Sequence, residues 1–209
     1  VALLPPLATA DDLADYLQSE VPLSAAVRAL RTASADIRRW TRQTITRVDN
    51  DTVLLGGGDR VLALPQRPVV VDAEHPLTVV ELADGGGIDF TAVEDRDFTR
   101  LGEELTRGYP WYPADRYMGW PFSRVRGVWA PRVRVTYSHG YLEVPDDIVG
   151  VCLDLAAATV SNPGRLRSES VGSVSVTYTV ETFGTGSLTD SHREILATYR
   201  RRVGSVTLS

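Results

Sequence analysis

The sequence predicts an α+β protein, a helical bundle of N-terminal and C-terminal helices with an inserted antiparallel β unit. Three observations predict it. Apolar residues recur with the 3.6-residue helical period near both ends of the 209-residue chain. Between them lie β-branched runs divided by Gly, Asn and Asp turn signals. One of those runs, RVRVTYSHGY, alternates strictly, with Val133, Val135 and Tyr137 on one face and Arg132, Arg134 and Thr136 on the other. Helices so separated must pack on one another to bury their stripes. The predicted division is therefore 1–43 with 142–209 as a helical core, carrying a strand-like ribbon near 172–180, and 44–141 as a β-rich insertion.

The first helix is expected from Thr9 to about Ser19. Thr9 is its N-cap, Asp12 comes three residues on, and Asp11 and Asp12 complement the helix dipole. Leu13, Tyr16 and Leu17 form its apolar stripe. Pro22 breaks the chain, and Ser24 is expected to cap a longer helix over 25–42. Its inward positions read as Val27, Leu30, Ile37 and Trp40, with Ser34 as a gap. The other face carries Arg28, Arg31, Arg38, Arg39 and Arg42, which suits either solvent or an acidic surface on a neighbouring subunit.

From Thr44 to Tyr141 five or six short strands are expected. Asp49-Asn50 and Gly56-Gly57-Gly58 read as turns, and Asp84 with three glycines reads as a second hairpin tip. The aromatic stretch 107–129, with Trp111, Tyr112, Tyr117, Trp120 and Trp129, reads as a long ordered loop that forms a local core or an interface. Pro145-Asp146-Asp147 opens a helix with Ile148, Val149, Cys152, Leu153, Leu155 and Ala156 inward, ending at Asn162-Pro163-Gly164. The last helix comes after Thr189, with Ile195, Leu196, Tyr199 and Val203 inward and Arg200, Arg201 and Arg202 at its end.

Composition narrows the function. Hydrophobic residues make up 43% and charged residues 23%, values of a globular chain able to bury a core. A net charge of −5 argues against tight wrapping of nucleic acid, though not against a surface past which DNA slides. No apolar run approaches the ~20 residues of a membrane-spanning helix, and VALLPPLATADD does not read as a signal peptide. Cys152 reads as a buried core thiol. His75, His139 and His192 stand in three separate contexts without metal-ligand spacing, and His139 is expected in a turn after its strand. The glycine clusters lack the Lys-Ser/Thr of a phosphate loop and fit hairpin tips better. No catalytic, cofactor-binding or metal-binding residue is assigned.

The segment SESVGSVSVTY, 168–178, is strand-prone but poor in core residues. SVSVTYTV alternates, with Val174, Val176 and Tyr178 opposite Ser175, Thr177 and Thr179, and Gly172 reads as a hinge. Such an edge is a liability in a monomer unless it is an ordinary internal edge strand.

In order along the chain, LATADDLADYL, LALPQRPV, VRVTYSHGY, VPDDIVGVCLDLAAATVSNPG, SESVGSVSVTY and LTDSHREILATYRRR resemble the head–tail connector (adaptor) proteins of long-tailed bacteriophages. The segment 44–131 is larger than in the minimal helical form of such connectors. The resemblance implies a structural virion protein without enzymatic activity. It implies a homo-oligomeric twelve-subunit ring, made in the host cytoplasm and incorporated in the virion, with no membrane association. The ring would bind the portal protein on one side and a head-closure or tail-terminator protein on the other, with double-stranded DNA passing through its lumen. It further implies a portal contact at Arg200, Arg201, Arg202 and Val203, and an inter-subunit ribbon at Gly172, Val174, Val176 and Tyr178. Two other readings compete: a carbohydrate- or cell-surface-binding module using the aromatic loop, and a hydrolase using a serine of the 168–175 ribbon.

Overall fold

A computed structural model describes residues 4–83, 87–108, 127–161, 168–171, 174–177 and 188–201. These residues form a mixed α+β structure with four helices and antiparallel sheets. The chain divides into two compact units, one of Val1–Thr46 with Tyr141–Arg202 and one containing Arg47–Gly140.

The first unit holds α1 (Ala10–Leu17), α2 (Leu23–Thr41), α3 (Asp146–Ser161) and α4 (Asp190–Ala197). The expected capping box opens α1: the Thr9 hydroxyl accepts the Asp12 N–H at 3.1 Å, and the Asp12 carboxylate accepts the Thr9 N–H at 2.8 Å. Two of the four orphan donors of a helix start are thereby satisfied. In α2 the start differs from expectation. Leu23 is already helical, and the cap position falls to Pro22 rather than Ser24, with the Pro22 carbonyl accepting the N–H groups of Ala25 and Ala26.

The buried face of α2 is also rotated from the expected one. Ala26, Ala29, Leu30, Ala33, Ser34 and Ile37 are buried, while Val27 and Trp40 sit half-buried at the flanks. Small side chains let α2 pack closely against α3, whose Cys152 and Ala156 are fully buried in the same core. Ser34 fills rather than interrupts this face. Its hydroxyl donates to the Leu30 carbonyl at 2.6 Å and accepts the Leu7 N–H at 2.9 Å, so its burial costs little. In α4, Leu196 is buried but Ile195 is exposed, contrary to the expected inward placement. The helix is only eight residues long and its buried side is correspondingly narrow.

The second unit contains eight strands among the described residues, more than the five or six expected: β1 (Val48–Gly56), β2 (Val61–Ala63), β3 (Val69–Val70), β4 (Thr78–Glu81), β5 (Phe90–Ala92), β6 (Phe98–Leu101), β7 (Glu104–Arg107) and β8 (Arg132–His139). Several are two to four residues long, too short for a period to declare itself in sequence. One sheet has the order β1-β8-β4-β5 with β3 also paired to β8, and a second has the order β2-β7-β6. Val133, Val135 and Tyr137 of β8 point into the core, with Arg132 and Arg134 exposed, as the alternation predicts. Val79, Leu62, Phe98, Leu105 and Trp129 complete that core. Each fully buried side chain of this size contributes roughly 1.5–3 kcal/mol.

Two expected turns are something else. Asp49-Asn50 lies inside β1, where the register with β8 shifts between Val48 and Asp51. Asn50 has φ +52°, and its N–H donates to the Ser138 hydroxyl at 3.0 Å, so the pair forms a bulge. The Gly56–Gly58 run is not a hairpin tip, because β1 pairs with β8 and β2 with β7. It carries the chain from one sheet to the other. The Gly57 and Gly58 N–H groups donate to the carbonyls of Pro131 and Trp129, and a Cβ on Gly57 would lie 1.9 Å from the Ala130 carbonyl oxygen. Backbone-to-backbone approach this close requires glycine. The later glycine run does join antiparallel neighbours, β4 and β5, with residues 84–86 outside the described set.

Candidate functional site

The ribbon predicted near 172–180 begins earlier than expected and folds back on itself. β9 (Ser168–Val171) pairs antiparallel with β10 (Val174–Thr177), bringing Val171 opposite Val174, Ser170 opposite Ser175 and Glu169 opposite Val176. Val174 and Val176 therefore belong to a two-stranded hairpin rather than a lone strand, while Gly172 and Tyr178 lie outside the described residues. The SES stretch, which carries turn-favouring residues, is the body of β9, because its residues find a partner strand two residues on. Among the described residues this hairpin pairs with no other strand. Among those residues each strand thus has one edge in a ladder and one edge outside it.

The segments flanking this hairpin are tied into the first unit by polar side chains. On α3, Asp147 accepts the Tyr199 hydroxyl with both oxygens, at 2.9 and 2.8 Å. Burial, together with the Asp147 carboxylate, pushes the Tyr199 phenol up to about 12. Further along α3, Asp154 accepts the Tyr16 hydroxyl of α1 and lies 3.4 Å from His192 Nε2 of α4. His192 also closes the α4 capping box with Thr189, whose N–H lies 3.4 Å from His192 Nδ1.

The C-terminal arginines divide. The Arg200 guanidinium sits 5.2 Å from the Trp40 ring centroid, and the Arg201 N–H donates to the Thr41 carbonyl at the end of α2 at 2.9 Å. Both side chains are exposed. Arg202 and Val203 lie outside the described residues. Arg38 leaves the arginine face: its Nε donates to the Thr44 carbonyl at 2.9 Å and its Nη2 to the Pro5 carbonyl at 2.6 Å.

In the second unit His139 is the last residue of β8, not part of a turn. It is 1% exposed, and its Nε2 lies 3.1 Å from Asp51. Burial lowers its pKa, opposed by Asp51. His75 Nδ1 is 2.9 Å from Asp72 and its Nε2 is 3.5 Å from Asp49. These two histidines thus engage acids on the same strand, each with its own carboxylate. The Ser138 hydroxyl accepts the Asn50 N–H, and as the strand neighbour of His139 its side chain projects to the opposite face. Among the described residues no group of three His, Cys, Asp or Glu could hold a metal ion, and no helix is long and apolar enough to cross a membrane. Cys152 is fully buried, and that burial pushes its thiol up.

One cluster escaped the sequence reading. Glu81 accepts Arg107 Nη2 at 3.2 Å with one oxygen and the Ala130 N–H at 3.0 Å with the other. Arg107 is 1% exposed, and its guanidinium lies 5.3 Å from the Trp129 ring centroid. A single carboxylate therefore grips both ends of the aromatic stretch. The signal was present in period 2: the register that turns Leu105 inward turns Arg107 inward as well. Trp129 belongs to this core, with its Nε1–H donating to the Leu105 carbonyl at 3.0 Å, so it offers no ring face to a sugar. Trp111, Tyr112, Tyr117 and Trp120 lie outside the described residues.

Comparison of the sequence with protein-family models finds no match, and comparison with curated proteins finds none either.

Proposed function

We propose that the chain is a structural virion protein, a head-to-tail adaptor whose copies form a ring under the portal of a long-tailed bacteriophage. In this reading α1–α4 are the helical bundle of the connector and Arg47–Gly140 is a β unit inserted into it. The ring extends the DNA channel from the portal towards the head-closure or tail-terminator protein, with twelve copies around the axis. The chain performs no catalysis.

The observation that carries the reading is the β9–β10 hairpin. A two-stranded ribbon is marginal alone, and among the described residues its outer edges pair with no further strand. A neighbouring copy supplies the missing strand, and repeating that head-to-tail contact closes a circle. The bonds from His192 and Tyr199 to α3 support it further, because they tie the segment after the hairpin to the helix before it. Arg200 and Arg201, tied to Trp40 and Thr41 of α2, supply the portal-facing charge in this reading.

Electron microscopy of the purified chain mixed with its portal tests the reading. Closed rings coaxial with the portal are expected. A chain that stays monomeric and shows no affinity for the portal overturns it.

A further inference from the structure

The outward face of α2 carries a stripe of arginines. Side chains three, eight and eleven residues apart share a helix face, so Arg28, Arg31 and Arg39 lie along one side, all exposed, with Arg42 exposed at the C-cap just beyond. Arg39 is paired with Asp36 at 2.8 Å. Arg28 and Arg31 have no ion-pair partner among the described residues. The neighbouring helix α1 carries the opposite charge. Asp11 and Asp15 are exposed one turn apart, and Glu20 is exposed just beyond the helix, again without an ion-pair partner among the described residues. Asp12, in contrast, is engaged in the capping box.

The first unit thus carries two charged stripes of opposite sign that do not neutralise each other within the chain. We infer that they are the two halves of one contact, with Arg28 and Arg31 of one copy docking on Asp11, Asp15 and Glu20 of a second copy. The inference rests on the proposed assembly of copies and names the surfaces that meet. Spacing supports it: the two arginines are separated by about 4.5 Å along their helix and the two aspartates by about 6 Å along theirs. Residue choice supports it too. All 22 cationic side chains of this lysine-free chain are arginines, whose planar fork matches a carboxylate with two hydrogen bonds. Because the two halves are different patches, the contact is head-to-tail and propagates from copy to copy. A phosphate backbone is the poorer occupant, since Asp36 flanks the stripe and the whole chain is acidic.

Full-length wild type, Arg28→Glu/Arg31→Glu and Asp11→Arg/Asp15→Arg are compared by sedimentation velocity, with and without the portal, at low and high salt. Each double variant is expected to weaken assembly at least tenfold, and an equimolar mixture of the two to restore it, because each then supplies the charge the other needs. Wild-type assembly is expected to weaken with salt. Variants that assemble like wild type, or a mixture that stays dissociated, overturn the inference and leave the ring reading standing. A wild type that never assembles overturns both. Loss of duplex DNA binding in Arg28→Glu/Arg31→Glu with assembly unchanged overturns the contact between copies and assigns the stripe to nucleic acid instead.

A charge-conserving variant guards against misfolding. Arg31→Lys introduces a single side-chain amine, which a carbodiimide joins to a carboxylate in direct contact. In a mixture of isotopically light and heavy chains, mixed-isotope cross-links from position 31 to Asp11, Asp15 or Glu20 are expected. Cross-links confined to one chain, or none, contradict the contact.

Discussion

Tyr199 and Asp147 are joined by a forked hydrogen bond, the phenol lying 2.9 and 2.8 Å from the two carboxylate oxygens. They stand 52 residues apart, before and after the β9–β10 hairpin. The pair ties the residues just beyond α4 to the first turn of α3, so a side-chain bond from outside the helix fixes where the chain goes after α4 ends.

Tyr199→Phe removes this tie. Because the Asp147 carboxylate is exposed to solvent, the expected loss of stability is about 1 kcal/mol or less, measured by urea denaturation. Ultraviolet titration of the phenols is expected to show one group near 12 in the wild type. Asp147→Asn brings that group back towards the usual tyrosine range. With its pKa raised on folding, the phenol holds its proton more tightly in the folded state than in the unfolded one. The tie therefore contributes fully below about pH 10 and is lost as pH rises towards 12.

Glu81 and Arg107 form a buried pair whose loss is expected to be severe. Glu81→Ala leaves a buried guanidinium without its carboxylate, at a cost of about 3–5 kcal/mol. The double variant Glu81→Leu/Arg107→Met is expected to cost less than the single one, since no uncompensated charge remains. Chemical denaturation of both variants decides the point; a double variant less stable than Glu81→Ala would contradict it.

Adjacent glycines separate by function. Gly57→Ala forces a Cβ into the Ala130 carbonyl and is expected to cost more than about 2 kcal/mol. A Cβ on Gly56 meets nothing within 4 Å, and Gly56→Ala is expected to stay within about 0.5 kcal/mol of wild type. Thermal melts of the two variants provide the comparison.

His139 sets a pH limit for the second unit. Its folded pKa is depressed by burial, so the unfolded state binds the proton more readily. Stability from this group is present above the unfolded value of 6.5 and is lost as pH falls below it, towards the folded value. Melting temperatures at pH 7.5 and 5.5 are expected to differ in the wild type and to converge in His139→Gln. An equal difference in both proteins would assign the slope to other groups.

These sites differ in how far the sequence disclosed them. The α1 capping box and the alternation of β8 were legible because a few adjacent residues determine each. The buried face of α2 was not, because alanine and serine carry little hydrophobic signal yet allow α3 to approach closely. Asp49-Asn50 and Gly56–Gly58 have turn chemistry, but whether such residues make a hairpin, a bulge or a crossing depends on which strand pairs next. The Glu81–Arg107 clasp joins residues 26 apart and could be found only by taking the strand period at its word for a charged residue. In the ribbon, strand propensity was legible, but the start of the hairpin at Ser168 was hidden by residues that also suit turns.

Hydrogen–deuterium exchange over Ser168–Val171 and Val174–Thr177, compared between the dissociated chain and portal-bound assemblies, tests the central claim most directly. Backbone amides on the outer edges of this hairpin are expected to exchange rapidly in the free chain and at least tenfold more slowly once copies have joined. Rings that form while those amides exchange at an unchanged rate would contradict the account.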